Sequence, residues 1–393
     1  MKNLHKISGA LALLTFAGPA YAQTGGTINF DGKSRTYKIN VPSSYSSASP
    51  SALVIVLHGT YGNGTQVQTQ TGFTAKSNSS NFIAVYPEGI SSAGVRSWNA
   101  GECCYYAAAN NIDDVGFIDT LIDVLENKYK IDTNRIYATG MSNGGFMSYR
   151  LACELSHRIA AIAPVASSMS TFTGCNPVRP LPVMHVHAYD DPAVPYQGGT
   201  VANQNPPATV IALNTVFNTW AVKNNCSTLN KVLHNDSKYT HTVWSNCSCN
   251  ADIESYFTSN GAHSWPGGGG TGLDTPSQYI NATDSIWNFF LKHPKNCNTT
   301  TNVNEPAQND FSFTVYPQPA NDYINLAVHE TARNGEYKIE IFNSLGQHVK
   351  TENIAINENN HSKIMDVNNI SSGIYFLRIS NSREMKSLKM IIR

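Results

Sequence analysis

Between residues 27 and 295 of the 393-residue chain, short continuous apolar runs alternate with longer segments that carry apolar residues on one helical face. The continuous runs are typical of strands buried on both faces, and they are ALVIVLH (52–58), NFIAVYP (81–87), RIYATG (135–140), IAAIAPVA (159–166) and PVMHVHA (182–188). Segments 115–129 and 145–155 have helical spacing, and the first follows the acidic cap pair Asp113 and Asp114. This alternation predicts an α/β fold with a mainly parallel sheet.

The pattern changes after residue 295. Residues 296–310 are almost entirely polar and contain Pro306, so they are expected to form a linker. Beyond them, turn signals separate strand-like runs, which are FSFTVYPQP, YINLAVH, EYKIEIFN, GIYFLRIS and SLKMIIR. These runs predict a small all-β sandwich over residues 311–393, which leaves residues 23–295 for the α/β domain.

The first 22 residues have the three parts of a secretory signal peptide. Lys2 and Lys6 give a basic start, residues 7–18 are mostly apolar, and Ala20-Tyr21-Ala22 fits a cleavage site. No other apolar run approaches the length that a helix needs to cross a membrane. We therefore expect an exported chain that begins at Gln23 and has no transmembrane segment.

Export into an oxidising compartment favours disulfide bonds among the eight cysteines. Proximity along the chain favours certain pairs, which are Cys153–Cys175 and either Cys226–Cys247 or Cys226–Cys249. The adjacent residues Cys103 and Cys104 are expected to pair with other cysteines or with each other.

Charge and ligand spacing argue against several partners. The 27 basic and 27 acidic residues balance, so no nucleic-acid partner is expected. Cys247-x-Cys249 lacks a second half at zinc-like spacing, and His185-x-His187 has no cluster of Cys or Glu nearby. We expect those two histidines to be buried and hydrogen-bonded, and we expect no metal ion or organic cofactor.

The segment ATGMSNGGF (138–146) carries the first candidate chemistry. Ser142 lies between Gly140 and Gly144, in a turn that joins a predicted strand to a predicted helix. A serine in a Gly-x-Ser-x-Gly turn with these flanks is typical of a nucleophile elbow, in which a sharp bend exposes the hydroxyl at the end of the sheet. The alternative is a glycine-rich turn with no chemical role.

A serine nucleophile needs a base and an acid that orients the base, and on this fold they follow in the order serine, acid, histidine. Asp190 and Asp191 come directly after the predicted strand 182–188, and either could be the acid. His263 lies in a glycine-rich loop before the last predicted helix and is the favoured base. The other histidines that follow the acid fit less well, and they are His234, His241 and His293.

Backbone amides must also stabilise the oxyanion that forms on the attacked carbonyl. The residue after the nucleophile, Asn143, is expected to supply one amide. The loop VIVLHGTYGNG (54–64) is expected to supply the other, from Thr60 in preference to Tyr61. Tyr61, Trp98 and Trp265 are candidate substrate-binding residues.

The segments LHGTYGNG, SWNAGECC, DDVGFIDTLID, RIYATGMSNGGFMSYRLACEL, IAAIAPVAS, DDPAVPYQGG and GAHSWPGG occur in this order. With them, residues 27–292 resemble the secreted polyhydroxybutyrate-depolymerase and feruloyl-esterase group of α/β-hydrolases. This resemblance implies Ser142 as nucleophile, His263 as base and Asp191 as acid, since the acid of that group directly precedes a proline. Ala188 stands where that group usually has glycine.

The C-terminal pieces VYPQPANDYINL, EIFNSLGQ and SSGIYFLRIS resemble the sorting domain of the Bacteroidetes type IX secretion system. The resemblance implies that this domain contacts the secretion machinery and directs the chain to the cell surface or beyond. A polymer-binding sandwich is the alternative, but this segment contains no tryptophan for a flat sugar-binding platform.

Together these features predict a secreted serine esterase that works through an acyl-enzyme. The expected substrate is a hydroxycinnamoyl ester on plant polysaccharide. A polyester such as polyhydroxybutyrate is the alternative substrate, and a short-chain acetyl ester comes third. The non-enzymatic alternative is a binding module displayed at the cell surface.

Overall fold

The computed structural model describes much of the chain, namely residues 23–170, 174–201, 208–227, 230–270, 274–295, 313–328, 335–343, 347–357, 362–381 and 385–393. The predicted signal peptide, 1–22, and the predicted linker, 296–310, lie outside these residues. The chain divides into two compact units, Met1–Thr299 and Thr300–Arg393.

The larger unit is built on one twisted sheet and two small hairpins. Its strands are β1 (Gln23–Phe30), β2 (Lys33–Asn40), β3 (Ser51–Leu57), β4 (Ile83–Pro87), β5 (Ile90–Ser92), β6 (Val95–Ser97), β7 (Ile131–Met141), β8 (Ala161–Val165), β9 (Val183–Ala188), β10 (Gly199–Val201), β11 (Ala208–Val210), β12 (Lys231–Asn235), β13 (Tyr239–Trp244) and β14 (Ile253–Thr258). The large sheet has the order β1-β2-β4-β3-β7-β8-β9-β14-β13-β12. Its neighbours from β4 to β14 run parallel, whereas the outer strands on both sides pair antiparallel. The predicted α/β fold with a mainly parallel sheet is confirmed.

Strands β3, β4, β8 and β9 are buried at every position, which explains their unbroken apolar sequences. In β3, alternate residues enter different cores because successive side chains point to opposite faces of a sheet. Leu53 and Ile55 belong to one apolar cluster, and Val54 and Val56 belong to another. The antiparallel outer strands were not predicted, because their half-exposed sequences carry no continuous apolar run.

Helices cover the faces of this sheet. They are α1 (Gly64–Thr71), α2 (Phe73–Ser80), α3 (Tyr105–Ala109), α4 (Asp114–Lys128), α5 (Asn143–Glu154), α6 (Leu213–Lys223) and α7 (Ala282–Lys292). The side chain of Asp113 caps α4 by accepting a hydrogen bond of 2.8 Å from the Gly116 amide, so the predicted acidic start of this helix is confirmed. None of the helices among the described residues has the length and apolar character that a membrane crossing requires.

Disulfide bonds within the described residues join Cys103 to Cys104, Cys153 to Cys175 and Cys226 to Cys247. The predicted Cys153–Cys175 pair is confirmed, and Cys247 rather than Cys249 pairs with Cys226. Cys249 is also disulfide-bonded. Cys297 lies outside the described residues.

The smaller unit contains two antiparallel sheets that share one apolar core. Its strands are β15 (Phe313–Tyr316), β16 (Tyr323–Val328), β17 (Gly335–Asn343), β18 (His348–Ile356), β19 (Ser362–Asp366), β20 (Gly373–Ser380) and β21 (Met385–Ile392). The sheets have the orders β15-β16-β19 and β18-β17-β20-β21. The predicted all-β fold of this segment is confirmed.

Candidate active site

Ser142 lies in the bend between strand β7 and helix α5. Its backbone has φ 55° and ψ −125°, a conformation that residues with a side chain rarely adopt and that is often found at functional sites. The bend is held by a hydrogen bond of 3.0 Å from the Ser142 amide to the Val165 carbonyl oxygen. The bend places Ser142, which is half-buried, at the carboxyl end of strand β7 and in the wall of a cavity.

The glycines around Ser142 are required by close approach of backbone segments. A Cβ atom at Gly140 would lie 2.6 Å from the carbonyl oxygen of Leu57 and 2.7 Å from the carbonyl carbon of Gly144. Cβ atoms essentially never approach other atoms this closely, so strands β7 and β3 and helix α5 can meet here only because Gly140 and Gly144 lack side chains. The glycines are therefore required both for the turn at Ser142 and for the close packing of helix α5 against strands β3 and β7.

The acid and the base meet above the end of strand β9. Nδ1 of His263 donates a hydrogen bond to Asp191, at 2.9 Å from Oδ2 and 3.1 Å from Oδ1. Oδ1 of Asp191 also accepts hydrogen bonds from the amides of Ala193 (2.8 Å) and Val194 (2.9 Å). Burial alone would raise the pKa of Asp191, but the hydrogen bond and charge of His263, together with the Val194 amide, hold this pKa below its ordinary value. Asp191 is therefore a carboxylate at neutral pH.

The neighbouring carboxylate has a different contact. Oδ1 of Asp190 accepts a hydrogen bond of 2.9 Å from the amide of Ala262, one residue before His263. Asp190 thus fixes the backbone of the histidine loop, whereas Asp191 contacts the ring. His234 and His241 lie in strands β12 and β13, and His241 is bound to Glu254 at 3.0 Å.

Ser142 and His263 line the same cavity, which has a volume of about 420 Å³. Among the described residues no hydrogen bond joins the two side chains. Such contacts are often long in the absence of substrate and shorten when the reacting complex forms. The arrangement brings the predicted nucleophile and base to one space, with the predicted acid behind the base.

Two backbone amides are free to bind an anion beside Ser142. Neither the Thr60 amide nor the Asn143 amide has a hydrogen-bond acceptor among the described residues, and Asn143 opens helix α5, where amides favour negative charge. The Tyr61 amide instead donates to the Arg96 carbonyl oxygen at 3.0 Å. Of the two loop amides considered from sequence, only the Thr60 amide is available.

The structure corrects two candidate substrate contacts. Trp98 and Trp265 are both 0% exposed and neither lines the cavity, so the prediction that they bind substrate was wrong. Trp265 packs against Phe73 and donates a hydrogen bond to Thr283, and aromatic side chains of this size are more often part of a core. Tyr61 is 62% exposed and contacts Tyr105, with ring centroids 5.6 Å apart.

The cavity walls include residues that the sequence reasoning missed. Those side chains belong to Gln66, Val67, Gln70, Met141, Pro192, Ala193 and Asp274. The spacing of Gln66 and Gln70 on helix α1 was an available signal, since residues four apart share a helix face. Pro192 and Ala193 directly follow Asp191, so they also could have been inferred.

Two buried histidines support the acid from below. The Tyr149 hydroxyl donates a hydrogen bond of 2.9 Å to Nδ1 of His185, and Nε2 of His185 donates to Nδ1 of His187 at 3.2 Å. Nε2 of His187 in turn donates to the Val194 carbonyl oxygen at 2.8 Å. Burial lowers the pKa of both rings, so both are neutral. The prediction that they are buried and hydrogen-bonded is confirmed. The described part of the chain contains no group of three or more His, Cys, Asp or Glu placed to hold a metal ion.

Two family models match this chain. Residues 43–218 match the phospholipase/carboxylesterase family, and residues 314–393 match the secretion system C-terminal sorting domain. These matches confirm both resemblances noted in the sequence. Residues 43–218 are thus similar to phospholipases and carboxylesterases, and residues 314–393 are similar to secretion sorting domains.

Individual relatives are similar over parts of the chain. Feruloyl esterase B of Piromyces equi is 28% identical over 61% of this chain and 44% of its own length. Feruloyl esterase C of Emericella nidulans is 28% identical over 65% of this chain and 84% of its own length. The chain thus spans less than half of the first relative and most of the second. The structure of an acetyl xylan esterase from Aspergillus awamori aligns with a TM-score of 0.48 at 14% identity, over 68% of this chain and 98% of that one.

Proposed function

We propose that this chain, whose residues 43–218 match the phospholipase/carboxylesterase family, is an exported serine esterase. One observation carries the proposal. Ser142 on its strained bend and His263, which is bound to the buried Asp191, line a single cavity, and two amides beside Ser142 lack acceptors among the described residues. Nucleophile, base, orienting acid and oxyanion donors are the complete set of groups that acyl transfer through serine requires.

In the proposed first step, His263 removes the proton of the Ser142 hydroxyl as its oxygen attacks the ester carbonyl. Nδ1 of His263 is occupied by Asp191, which leaves Nε2 to take the proton, and the carboxylate stabilises the imidazolium that forms. His263 then gives this proton to the departing alcohol oxygen. The acyl group remains on Ser142 as an ester.

The second step repeats the chemistry with water. His263 removes a proton from a water molecule, whose oxygen attacks the acyl-enzyme carbonyl, and returns a proton to the Ser142 oxygen as the acid departs. In both steps the carbonyl oxygen becomes an anion. The amides of Thr60 and Asn143 bind this anion through hydrogen bonds.

The cavity walls and the relatives support an ester between an aromatic acid and a sugar as the substrate. Val67, Met141 and Pro192 give an apolar surface for a flat acyl group. Gln66 and Asp274 add polar groups that can bind the hydroxyl groups of a polysaccharide. Two relatives described above are named feruloyl esterases, and we propose a hydroxycinnamoyl ester on plant polysaccharide.

The proposed route out of the cell uses both ends of the chain. Residues 1–22 act as a cleaved signal peptide, and residues 311–393 are recognised by secretion machinery after a linker at 296–310. The family match over residues 314–393 supports the second part. N-terminal sequencing of exported protein is expected to begin at Gln23, and deletion of residues 311–393 is expected to leave the protein inside the cell envelope.

The test of activity is a substrate panel with purified full chain. We expect fast release of ferulate from methyl ferulate, and no release of soluble hydroxyacid from amorphous poly(3-hydroxybutyrate). A p-nitrophenyl acetate assay reports general esterase competence, and Ser142→Ala serves as the blank.

The panel separates the alternatives. Hydroxyacid release without ferulate release would make the protein a polyester depolymerase, and hydrolysis of acetate esters alone would make it an acetyl esterase. A folded protein that hydrolyses none of the three would be left with the binding-module alternative, and the proposal would be withdrawn.

A further inference from the structure

Trp98 does not line the substrate cavity. It is a core residue that forms hydrogen bonds with both segments whose amides are free to bind an anion. Its indole Nε1 donates a hydrogen bond of 3.0 Å to the carbonyl oxygen of His58, two residues before Thr60. Its backbone amide donates to Oδ1 of Asn143 at 2.7 Å, and Nδ2 of Asn143 donates to the Trp98 carbonyl oxygen at 3.0 Å. One residue therefore contacts both oxyanion-binding segments.

The three residues of this junction are withdrawn from solvent. Trp98 is 0% exposed, and His58 and Asn143 are each 1% exposed. The imidazole of His58 packs against the indole, with centroids 5.0 Å apart, while Nδ1 donates to its neighbouring Gly59 carbonyl oxygen at 2.7 Å and Nε2 accepts from the Gly89 amide at 3.0 Å. Burial makes each of these hydrogen bonds costly to break, because an unpaired partner would find no water.

The chain after Trp98 is itself fixed to the core. The Asn99 amide donates to Asp114 at 2.7 Å, and the other carboxylate oxygen of Asp114 pairs with Arg35 at 2.5 Å. Arg150 donates to the Asn99 carbonyl oxygen at 2.7 Å. The segment that holds the two amides in place is thus anchored to strand β2 and to helices α4 and α5.

We propose that Trp98 and the side chain of Asn143 are positioning residues that set the distance between the Thr60 and Asn143 amides. This inference rests on the proposed ester hydrolysis. Oxyanion donors accelerate the reaction only when they are already placed where the negative charge develops. The contacts of Trp98 restrict both donors at once, so losing them lowers transition-state stabilisation while the substrate cavity keeps its walls.

The first test compares Trp98→Phe with Trp220→Phe. Both tryptophans are fully buried, but Nε1 of Trp220 has no hydrogen-bond partner among the described residues. The two substitutions therefore remove the same atoms from a core, and only one removes a hydrogen bond to the oxyanion loop. We expect Trp98→Phe to lower kcat for p-nitrophenyl acetate roughly 10- to 100-fold with KM within about twofold, since small misplacement of reacting groups has effects of this size. Trp220→Phe is expected to keep the wild-type kcat.

A second variant, Asn143→Ala, removes the side-chain contacts with Trp98 and keeps the backbone amide that binds the oxyanion. It is expected to lower kcat in the same way. The double variant Trp98→Phe/Asn143→Ala is expected to lose less than the product of the two single losses, because both act on one junction. The single variant Asn143→Ala keeps the test open if Trp98→Phe does not fold.

Inhibition by phenylboronic acid distinguishes a loss of oxyanion binding from a general loosening of the core, because only the former weakens this inhibitor in the junction variants alone. Its boron forms a bond with the Ser142 oxygen while His263 takes the hydroxyl proton, and a boron hydroxyl then occupies the position of the oxyanion. Its inhibition constant is expected to rise in parallel with the loss of kcat/KM in both junction variants, and to stay unchanged in Trp220→Phe.

Wild-type kcat and inhibition in folded Trp98→Phe or Asn143→Ala would overturn the inference. Equal losses in Trp98→Phe and Trp220→Phe, or a rise in KM at constant kcat, would also overturn it. If the wild-type chain hydrolysed no ester, the proposed function would fail first, and this outcome is distinguishable from the others by the wild-type assay alone.

Discussion

Asp191 and His263 lie 72 positions apart, yet Nδ1 of His263 donates to Oδ2 of Asp191 at 2.9 Å. The contact forms because Asp191 follows strand β9, and His263 follows strand β14, and these two strands are parallel neighbours in the sheet. Their carboxyl ends therefore meet at one edge, where the loops that follow can touch. This contact fixes which ring nitrogen of His263 faces the cavity.

Ser142→Ala is expected to lower kcat by a factor of about 10³ or more, because it removes the hydroxyl that His263 is proposed to activate. Ester hydrolysis measured at saturating substrate tests this. Ser148→Ala is the matched control, since Ser148 lies on the same helix and its hydroxyl donates to the Gly144 carbonyl oxygen within that helix. Turnover near the wild-type rate in Ser142→Ala would contradict the mechanism.

Asp191→Asn is expected to reduce kcat by roughly 10⁴, because an amide neither stabilises the imidazolium nor fixes the reactive tautomer of His263. Asp190→Asn should reduce kcat far less, because an amide oxygen can still accept the hydrogen bond of the Ala262 amide. Parallel pre-steady-state and steady-state assays of the two variants measure the difference. If the losses were reversed, Asp190 would be the acid.

Gly140→Ala is expected to destabilise the larger unit by about 1–3 kcal/mol, since overpacked positions have costs of this size. The added Cβ atom would collide with the backbone of Leu57 and Gly144, which cannot move without shifting strand β3 or helix α5. Urea unfolding followed by tryptophan fluorescence measures the change. Gly270→Ala is the control, because a Cβ atom there would meet, among the residues that the structure describes, only Pro276 at 3.7 Å. Equal effects in both variants would rule out backbone collision as the cause.

The free energy of unfolding is expected to fall as the pH is lowered from about 6.5 toward 4. Burial lowers the pKa of His58 from 6.5 to about 4, despite the opposing hydrogen bond with Gly59. Between these values the unfolded chain binds a proton that the folded chain does not, so stability decreases with falling pH by up to about 1.4 kcal/mol per unit for each such group.

Unfolding experiments at several pH values, with wild type and His58→Asn, test this contribution. The asparagine side chain does not titrate in this range. The slope of the unfolding free energy against pH, between pH 4 and 6.5, should therefore decrease by up to about 1.4 kcal/mol per pH unit, which corresponds to one proton. His293, whose pKa burial lowers to about 4, contributes a slope that both proteins share. An unchanged slope in His58→Asn would show that His58 does not titrate differently in the two states.

Much of the fold and of the chemistry is determined locally in the sequence. The apolar runs at β3, β4, β8 and β9 identify interior strands because a strand with both faces buried needs no polar positions. The bend at Ser142 is also local, since its glycines are spaced to let one strand and one helix approach. The order of serine, aspartate and histidine along the chain is a further sequence signal, because it matches the order expected for nucleophile, acid and base on this fold.

Only the tertiary structure decided between neighbouring residues and between exposed and buried aromatics. Asp190 and Asp191 are chemically identical in sequence, and they differ because one reaches the His263 ring and the other the Ala262 amide. Likewise, Trp98 is a large aromatic residue of the kind that often binds substrate. Its hydrogen bonds to residues 40 and 45 positions away nevertheless place it in the core beneath the site. Hydrophobic periodicity reports how much of a side chain is buried, whereas the partner of each polar group depends on which distant segments the sheet order brings together.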